Sequence, residues 1–268
     1  MADIPTTSLF RTLPFGWSLL LILTTVTVVG LVLFWADRVV NKPGKVVSKP
    51  NKLALYLRIG LSVWLAVAYL LAEQGWLTGY TLGLQRLTLV YLVAQGLIML
   101  PFALIPVRKA VMALPLTVPI LCHLYRLIQE IVLWQFAESK QIPVELTFKG
   151  ANFDVHIGAT ALFVAVALYS DFKYARGLAI GWNIFGLLIA AITILNGLTY
   201  ATQGAPPYPA GNVLAFFPMV WLPAFMWPMA VGLHLLSLLQ LSQTPAKSDA
   251  GKVMPQGFKL SKRGQTQP

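Results

Sequence analysis

The sequence predicts an all-α membrane protein, a polytopic transmembrane bundle of seven helices. Of its 268 residues, 57% are hydrophobic and only 11% are charged, whereas soluble domains carry about 25% charged residues. Seven apolar runs are close to the length of about 20 residues that a helix needs to cross a bilayer core. The runs are continuously apolar rather than alternating, which favours helices over the strands of a barrel.

The predicted spans follow one another with short gaps. They cover residues 16–36, 53–71, 87–105, 111–136, 155–170, 178–198 and 215–241. The first is interpreted as a retained span, because its apolar core is too long for a signal peptide. A transmembrane domain over 1–245 leaves a basic tail, 246–268, which has no apolar period and is predicted to be disordered.

The positive charges alternate between the two sides of the predicted bundle. Fourteen of the twenty Lys and Arg residues follow the first, third and fifth spans or lie in the tail, and four lie in the other gaps. The N-terminus is therefore predicted outside and the C-terminus in the cytoplasm. This bias also explains the net charge of +11, so the expected partner is anionic lipid heads at the cytoplasmic face rather than nucleic acid. A membrane-protein partner or a second copy of the chain stays open.

Three titratable residues lie inside the fourth predicted span. His123, Arg126 and Glu130 are three and four residues apart, which places them on one helix face, with Arg126 and Glu130 spaced for an ion pair. A charge at mid-membrane costs about 3 kcal/mol or more and is a functional candidate. Three interpretations stay open: a pair that staples the helix to its neighbours, a ligand or ion site, and a pair that snorkels to the outer surface.

More polar residues lie near the outer ends of the fifth and sixth predicted spans. If these spans are neighbours of the fourth, one outer-half ligand site is predicted from Arg126, Glu130, His123, Asp154, His156 and Asn196.

Five other residues are predicted to pack or bend helices. Asn183, beside Trp182, is expected to join helices through its amide. Pro119, Pro223 and Pro228 lack an amide donor and are expected to kink their spans. Broken helices line the substrate sites of many transporters.

No cofactor, metal ion or catalytic residue is predicted. His123 and His234 are expected about 18 and 10 Å from the inner ends of their spans, at about 1.5 Å per residue, which disfavours a shared haem. The last span contains no lysine for a retinal Schiff base, and the sequence contains no HExxH, CxxC or Gly-rich phosphate loop.

Three stretches carry a resemblance to a known group of proteins. They are FKGANFD at 148–154, AIGWNIFGL at 179–187, and FPMVWLP at 217–223 with HLLS at 234–237. They resemble bacterial multi-spanning membrane proteins with no assigned activity. The resemblance covers the C-terminal half, implies a bacterial cytoplasmic membrane, and carries no activity with it. It also leads us to expect Arg where Ala151 stands.

Two functions are weighed on these observations. The first is non-enzymatic binding, sensing or transport of a small ligand in the outer half of the bundle, with Arg126 contacting an anionic or polar group and Glu130 as its counter-ion. The alternative is a structural or assembly subunit of a larger membrane complex, in which the pair only locks the bundle. An enzyme ranks third.

Overall fold

The computed structural model describes residues 15–40, 52–78, 81–170, 172–202 and 213–243. Over these residues the chain is all α and contains no strand, as predicted. The predicted tail 246–268 lies outside them. The helices are α1 (Phe15–Val40), α2 (Lys52–Glu73), α3 (Thr81–Ala103), α4 (Ile105–Met112), α5 (Thr117–Cys122), α6 (Tyr125–Glu138), α7 (Asp154–Tyr169), α8 (Ala175–Thr202) and α9 (Trp227–Gln243). A π-helix, Leu222–Met226, leads into α9, and short 3₁₀ turns lie at Val144–Leu146 and Val213–Ala215.

Five stretches of the described chain are long and apolar enough to cross a membrane. They are Phe15–Phe34, Leu55–Glu73, Leu82–Leu100, Ala175–Thr199 and Leu222–Gln243, and they correspond to the first, second, third, sixth and seventh predicted spans. Helix α7 is apolar but has 16 residues, fewer than the about 20 of a straight crossing. The fold is therefore compatible with an integral membrane protein.

The prediction of one continuous helix over 111–136 is wrong. Helix α4 ends at Met112, and the chain turns through residues 113–116 before α5 begins. Pro115 explains the break, because proline has no amide hydrogen and disfavours a helical conformation at Leu114.

A second irregularity joins α5 to α6 at His123 and Leu124. Their backbone amides donate to the carbonyls three residues back, those of Ile120 and Leu121, at 3.1 and 3.0 Å. In an α-helix they would donate to the carbonyls four residues back. The backbone therefore passes through a tight 3₁₀ turn, a feature that often marks a hinge or a functional position within a helix.

Helix α9 lies at the centre and α2 at the periphery. The apolar stretch that contains α9 is 78% buried, whereas that of α2 is 11% buried. Helix α9 packs against α3, α5 and α8, and α7 packs against α5, α6 and α8. The outward face of α2 carries exposed Val63, Val67 and Leu70, which suits contact with lipid rather than water.

One end of the bundle gathers several helix ends and their basic residues. Arg176 Nη2 in α8 donates to Leu241 O in α9 at 2.7 Å. Gln240 Nε2 in α9 donates to Val111 O and Leu114 O at 3.2 and 2.9 Å. These two carbonyls follow Arg108 and Lys109 of α4 in the chain. The start of α8, the end of α9 and the α4–α5 junction therefore lie together.

Candidate functional site

A buried cluster of polar side chains joins α6, α7, α8 and α9. Arg126 and Asp154, each 1% exposed, form its ionic part, with Arg126 Nη2 lying 3.5 Å from Asp154 Oδ1. Arg126 Nη1 lies 3.5 Å from His234 Nε2. The expected Arg126–Glu130 ion pair is wrong: the spacing allowed it, but the carboxylate at the start of α7 occupies the guanidinium.

Glu130 is engaged by an amide instead. Asn152 Nδ2 donates to Glu130 Oε1 at 2.7 Å and to Leu146 O at 3.1 Å. Asn152 Oδ1 accepts from the Asp154 amide at 3.1 Å and from Thr193 Oγ1 at 3.0 Å. Asn152 therefore links the Glu130 carboxylate to Thr193 of α8. By accepting from the Asp154 amide it also holds the N-terminus of α7 in place, as an Asx turn does.

The network assigns the tautomer of His234. Asn183 Nδ2 donates to Ala179 O at 2.7 Å, so its Oδ1, 2.9 Å from His234 Nδ1, is the acceptor. The hydrogen of the neutral ring is therefore on Nδ1, and Nε2 presents its lone pair to Arg126.

An aromatic stack covers His234. The His123 ring lies over it with centroids 4.0 Å apart and planes 26° apart, and Trp182 meets both rings at 5.3 and 5.2 Å. Trp182 Nε1 donates to Thr160 Oγ1 at 2.8 Å. The expected difference in depth between His123 and His234 is wrong. The expectation measured the depth of His123 from residue 111, as the start of one long helix. In the structure the helix begins at Thr117, and His123 lies six residues, about 9 Å, beyond that point.

Glycines on α7 and α8 let the helices around the cluster approach one another closely. A Cβ at Gly186 of α8 would overlap the His234 imidazole, and one at Gly158 of α7 would lie 2.9 Å from Leu127 N in α6. Small residues that let backbones approach are typical of helix contacts in membranes.

The π-helix before α9 borders the cluster. Tyr125 Oη donates to Met226 O at 2.9 Å, so the residue before Arg126 contacts the last residue of the π-helix. Single π turns often lie at functional sites.

Two members of the cluster have polar atoms without partners. Glu130 Oε2 and both ring nitrogens of His123 make no hydrogen bond to the described residues, although both side chains are 0% exposed. A small cavity beside the cluster, about 20 Å³ in volume, is lined by residues that include Asn152, Thr193 and Asn196. It has room for about one water molecule.

A family comparison covers this region. Residues 84–242 match the model of a family described as a domain of unknown function, DUF8737. The chain belongs to the DUF8737 family. No curated protein and no solved structure matches the chain. The DUF8737 match bears out the resemblance to a family with no assigned activity, and it contains the whole polar cluster but excludes α1 and α2.

The predicted ligand residues are only partly brought together in this DUF8737 chain. His123, Arg126, Glu130 and Asp154 lie in the cluster, and their role in binding stays a prediction. His156 is exposed and lies outside it, with Nδ1 3.2 Å from Phe153 O. Asn196 is half-buried at the margin, and its Nδ2 donates to Ala151 O at 3.2 Å.

The five residues predicted to pack or bend helices have different positions relative to the cluster. Asn183 and Trp182 do pack helices, but through the histidine pair, so they belong to the site. The three prolines are all buried. Pro119 lies in the first turn of α5, where a missing amide hydrogen costs little, whereas Pro223 lies in the π-helix and Pro228 two residues beyond its end, inside the continuous helix Leu222–Gln243.

Sequence reasoning left three members out of the site: Asn152, Thr193 and His234. The signal for Thr193 is present, because Asn183, Gly186 and Thr193 recur at helical spacing on one face of α8. No local pattern indicates that His234 meets Arg126, which is 108 residues away.

A second glutamate on α6 has the opposite environment. Glu138 Oε1 accepts from Lys149 Nζ at 2.7 Å and from Trp134 Nε1 at 2.6 Å. These hydrogen bonds, with the Lys149 charge, lower the pKa of Glu138 from its ordinary value. Both partners are exposed, so water screens the pair. Glu138 is therefore a matched control for the buried Glu130.

Proposed function

We propose that the protein binds a small polar ligand within the membrane, in order to sense or transport it, and that the buried polar cluster is the binding site. The supporting observation is the unsatisfied set, Glu130 Oε2 and the two ring nitrogens of His123. A buried polar group without a partner costs about 1–3 kcal/mol. Helix packing does not compensate for the lost hydrogen bonds of these atoms, whereas a ligand that bonds to them offsets the cost.

The unsatisfied atoms favour a ligand that donates hydrogen bonds. A carboxylate oxygen is an acceptor, and a neutral imidazole accepts through one nitrogen. Arg126 is engaged by Asp154 and His234, so the contact between Arg126 and an anionic group stays a prediction. We place an ammonium, amine or hydroxyl group of the ligand at Glu130 and His123.

Charge balance supports the same class of ligand. The cluster holds two carboxyl groups and one guanidinium, and an uncompensated charge in a low-dielectric interior is expensive. One proton on a carboxyl group, or one bound cation, neutralises the set. Exchange between a proton and a cationic ligand would couple binding to protonation.

Glu130→Gln and His123→Phe are expected to weaken ligand binding by about 10- to 100-fold, because a hydrogen bond to a charged group contributes about 1.5–3 kcal/mol. The measurement is the melting temperature of purified protein against ammonium, alkylamines, amino acids and polyols. Wild type is expected to be stabilised by a subset, and Glu138→Gln, on the same helix but exposed, to behave as wild type.

Two results would contradict the proposal. One is a panel in which no compound stabilises the wild type. The other is full retention of the stabilisation by Glu130→Gln and His123→Phe. Uptake of the stabilising compound into proteoliposomes separates transport from sensing.

A structural or assembly subunit is the second candidate. It is favoured by the direct bonds that join α6, α7 and α8 through Arg126, Asp154, Asn152 and Thr193, which is what a staple requires. A stoichiometric partner that co-purifies in mild detergent would support it.

We further propose seven spans with the N-terminus outside, in a bacterial cytoplasmic membrane. In this topology α5 and α6 form the fourth span and α7 the fifth. The position of the end of α9 beside Arg108 and Lys109 of α4 and Arg176 of α8 supports it, because positive charge favours the cytoplasmic side.

Cysteine labelling tests this topology. In a Cys122→Ala background, which removes the single cysteine, Val144→Cys and Tyr174→Cys each place a thiol at a loop residue that is 44% and 63% exposed. An impermeant maleimide is expected to label Val144→Cys in intact spheroplasts and Tyr174→Cys only after lysis. The reverse pattern would invert the orientation.

A further inference from the structure

A large apolar cavity lies apart from the polar cluster. Its volume is about 380 Å³, and it is lined by residues of α1, α2, α3, α4, α5, the π-helix and α9. Sites for small molecules have volumes of about 300–1,000 Å³. The cavity is therefore large enough for a ligand, and it is not required by the function proposed above.

The lining is almost entirely hydrocarbon. It contains no charged residue, and its polar side chains are Tyr56, Trp64 and Cys122. The Trp64 indole already donates to Ala224 O at 2.8 Å. Apolar cavities do not hold water well. A ligand with a polar ring, such as a quinone head, would find only the Tyr56 phenol and the Cys122 thiol as further donors, whereas a hydrocarbon chain needs none.

The cavity opens sideways onto the surface that faces lipid. Leu97, Leu100 and Leu104 line it and are 42–55% exposed. The opening lies between helices at a surface that is itself apolar, so an alkyl chain can enter from the bilayer without crossing water.

Three basic residues lie close along the chain to residues that line the cavity. Val111 of α4 lines it, and Arg108 and Lys109, both exposed, precede Val111 by three and two residues. Lys52, also exposed, begins α2 four residues before the lining residue Tyr56. Positive charge beside an apolar slot complements a phosphate attached to a hydrocarbon chain.

We propose that one acyl chain of an anionic phospholipid occupies this cavity, with its phosphate held at Arg108 and Lys109. The lipid belongs to the leaflet on the side of the α4–α5 junction. It fills the space between α2 and the centre of the bundle, where the described helices leave α2 with little packing of its own.

Native mass spectrometry of the full chain, offered equal phosphatidylglycerol and phosphatidylcholine, tests this. Wild type is expected to retain one phosphatidylglycerol. Gly60→Leu adds a side chain at a cavity position where a Cβ meets nothing within 4 Å, and it is expected to reduce retention about tenfold or more. Gly96→Leu is the matched control, since its Cβ also meets nothing and it does not line the cavity.

The charge contacts have their own variant. Arg108→Gln with Lys109→Gln is expected to lower the preference for phosphatidylglycerol over phosphatidylcholine about fivefold for each charge removed. Equal retention of both lipids by wild type, retention unchanged in Gly60→Leu, or a quinone mass in place of phospholipid would each overturn the proposal.

A second measurement uses the wild-type protein and needs no substitution. Cys122 lines the cavity and is the only cysteine in the sequence, so N-ethylmaleimide labelling of wild type reports occupancy. Phosphatidylglycerol is expected to slow this labelling more than phosphatidylcholine does. An unchanged rate with both lipids would show that the cavity does not take the chain.

Discussion

Asp154→Ala is expected to lower the free energy of unfolding by about 3–5 kcal/mol, the range found when one partner of a buried ion pair is removed. Arg126 is 1% exposed and would lose its ion-pair partner. The Thr193 hydroxyl, 3.2 Å from Asp154 Oδ1, would also lose an acceptor. Unfolding by SDS in mixed micelles measures the change.

A double variant distinguishes a lost partner from general damage. Arg126→Met combined with Asp154→Leu replaces the pair by apolar groups, which is often neutral for stability. It is expected to be more stable than Asp154→Ala. The single variants Arg126→Met and Asp154→Leu complete the cycle that gives the coupling energy between the two contacting sites. If Asp154→Ala unfolds as wild type does, the buried pair described here is not present.

Gly186→Ala is expected to destabilise the protein by about 1–3 kcal/mol, as overpacking of a filled interior does. The new Cβ would overlap the His234 ring. The ring must then move, which breaks its hydrogen bond to Asn183 and its stack on His123. Ligand stabilisation, measured on the panel used for Glu130→Gln, is expected to fall in parallel.

Gly181→Ala on the same helix is the control. Its Cβ meets nothing within 4 Å, so replacing glycine in a helix is expected to raise stability by about 0.5–1 kcal/mol. The two substitutions therefore have opposite expected signs. Equal effects at Gly181 and Gly186 would contradict the close approach of α8 to α9.

Chemical composition explains which regions were predictable. Long apolar runs predicted α1, α2, α3, α8 and the last helix, because a continuously apolar stretch has few stable states other than a buried or lipid-facing helix. Their ends were less well predicted: α3 begins six residues before its predicted span, and the π-helix that leads into α9 begins seven residues after the predicted start. The apolar run at 111–136 led to the wrong prediction of one continuous helix. Hydropathy does not indicate that Pro115 and the turn at His123 interrupt the helix. His123, Arg126 and Glu130 are all buried, but His123 lies in the turn before α6 rather than on that helix.

The amino-acid sequence by itself determined the helical class, five long apolar stretches and the placement of Arg126 and Glu130 one turn apart on one helix, since these depend on composition and on spacing within one helix. Tertiary structure decided which partners the buried polar residues meet. Arg126 pairs with Asp154 rather than Glu130, and His123 stacks on His234, because helix rotation and depth depend on contacts such as Gly186 against His234. A buried charge requires a partner in a low dielectric, but spacing along one helix does not determine which neighbour supplies it.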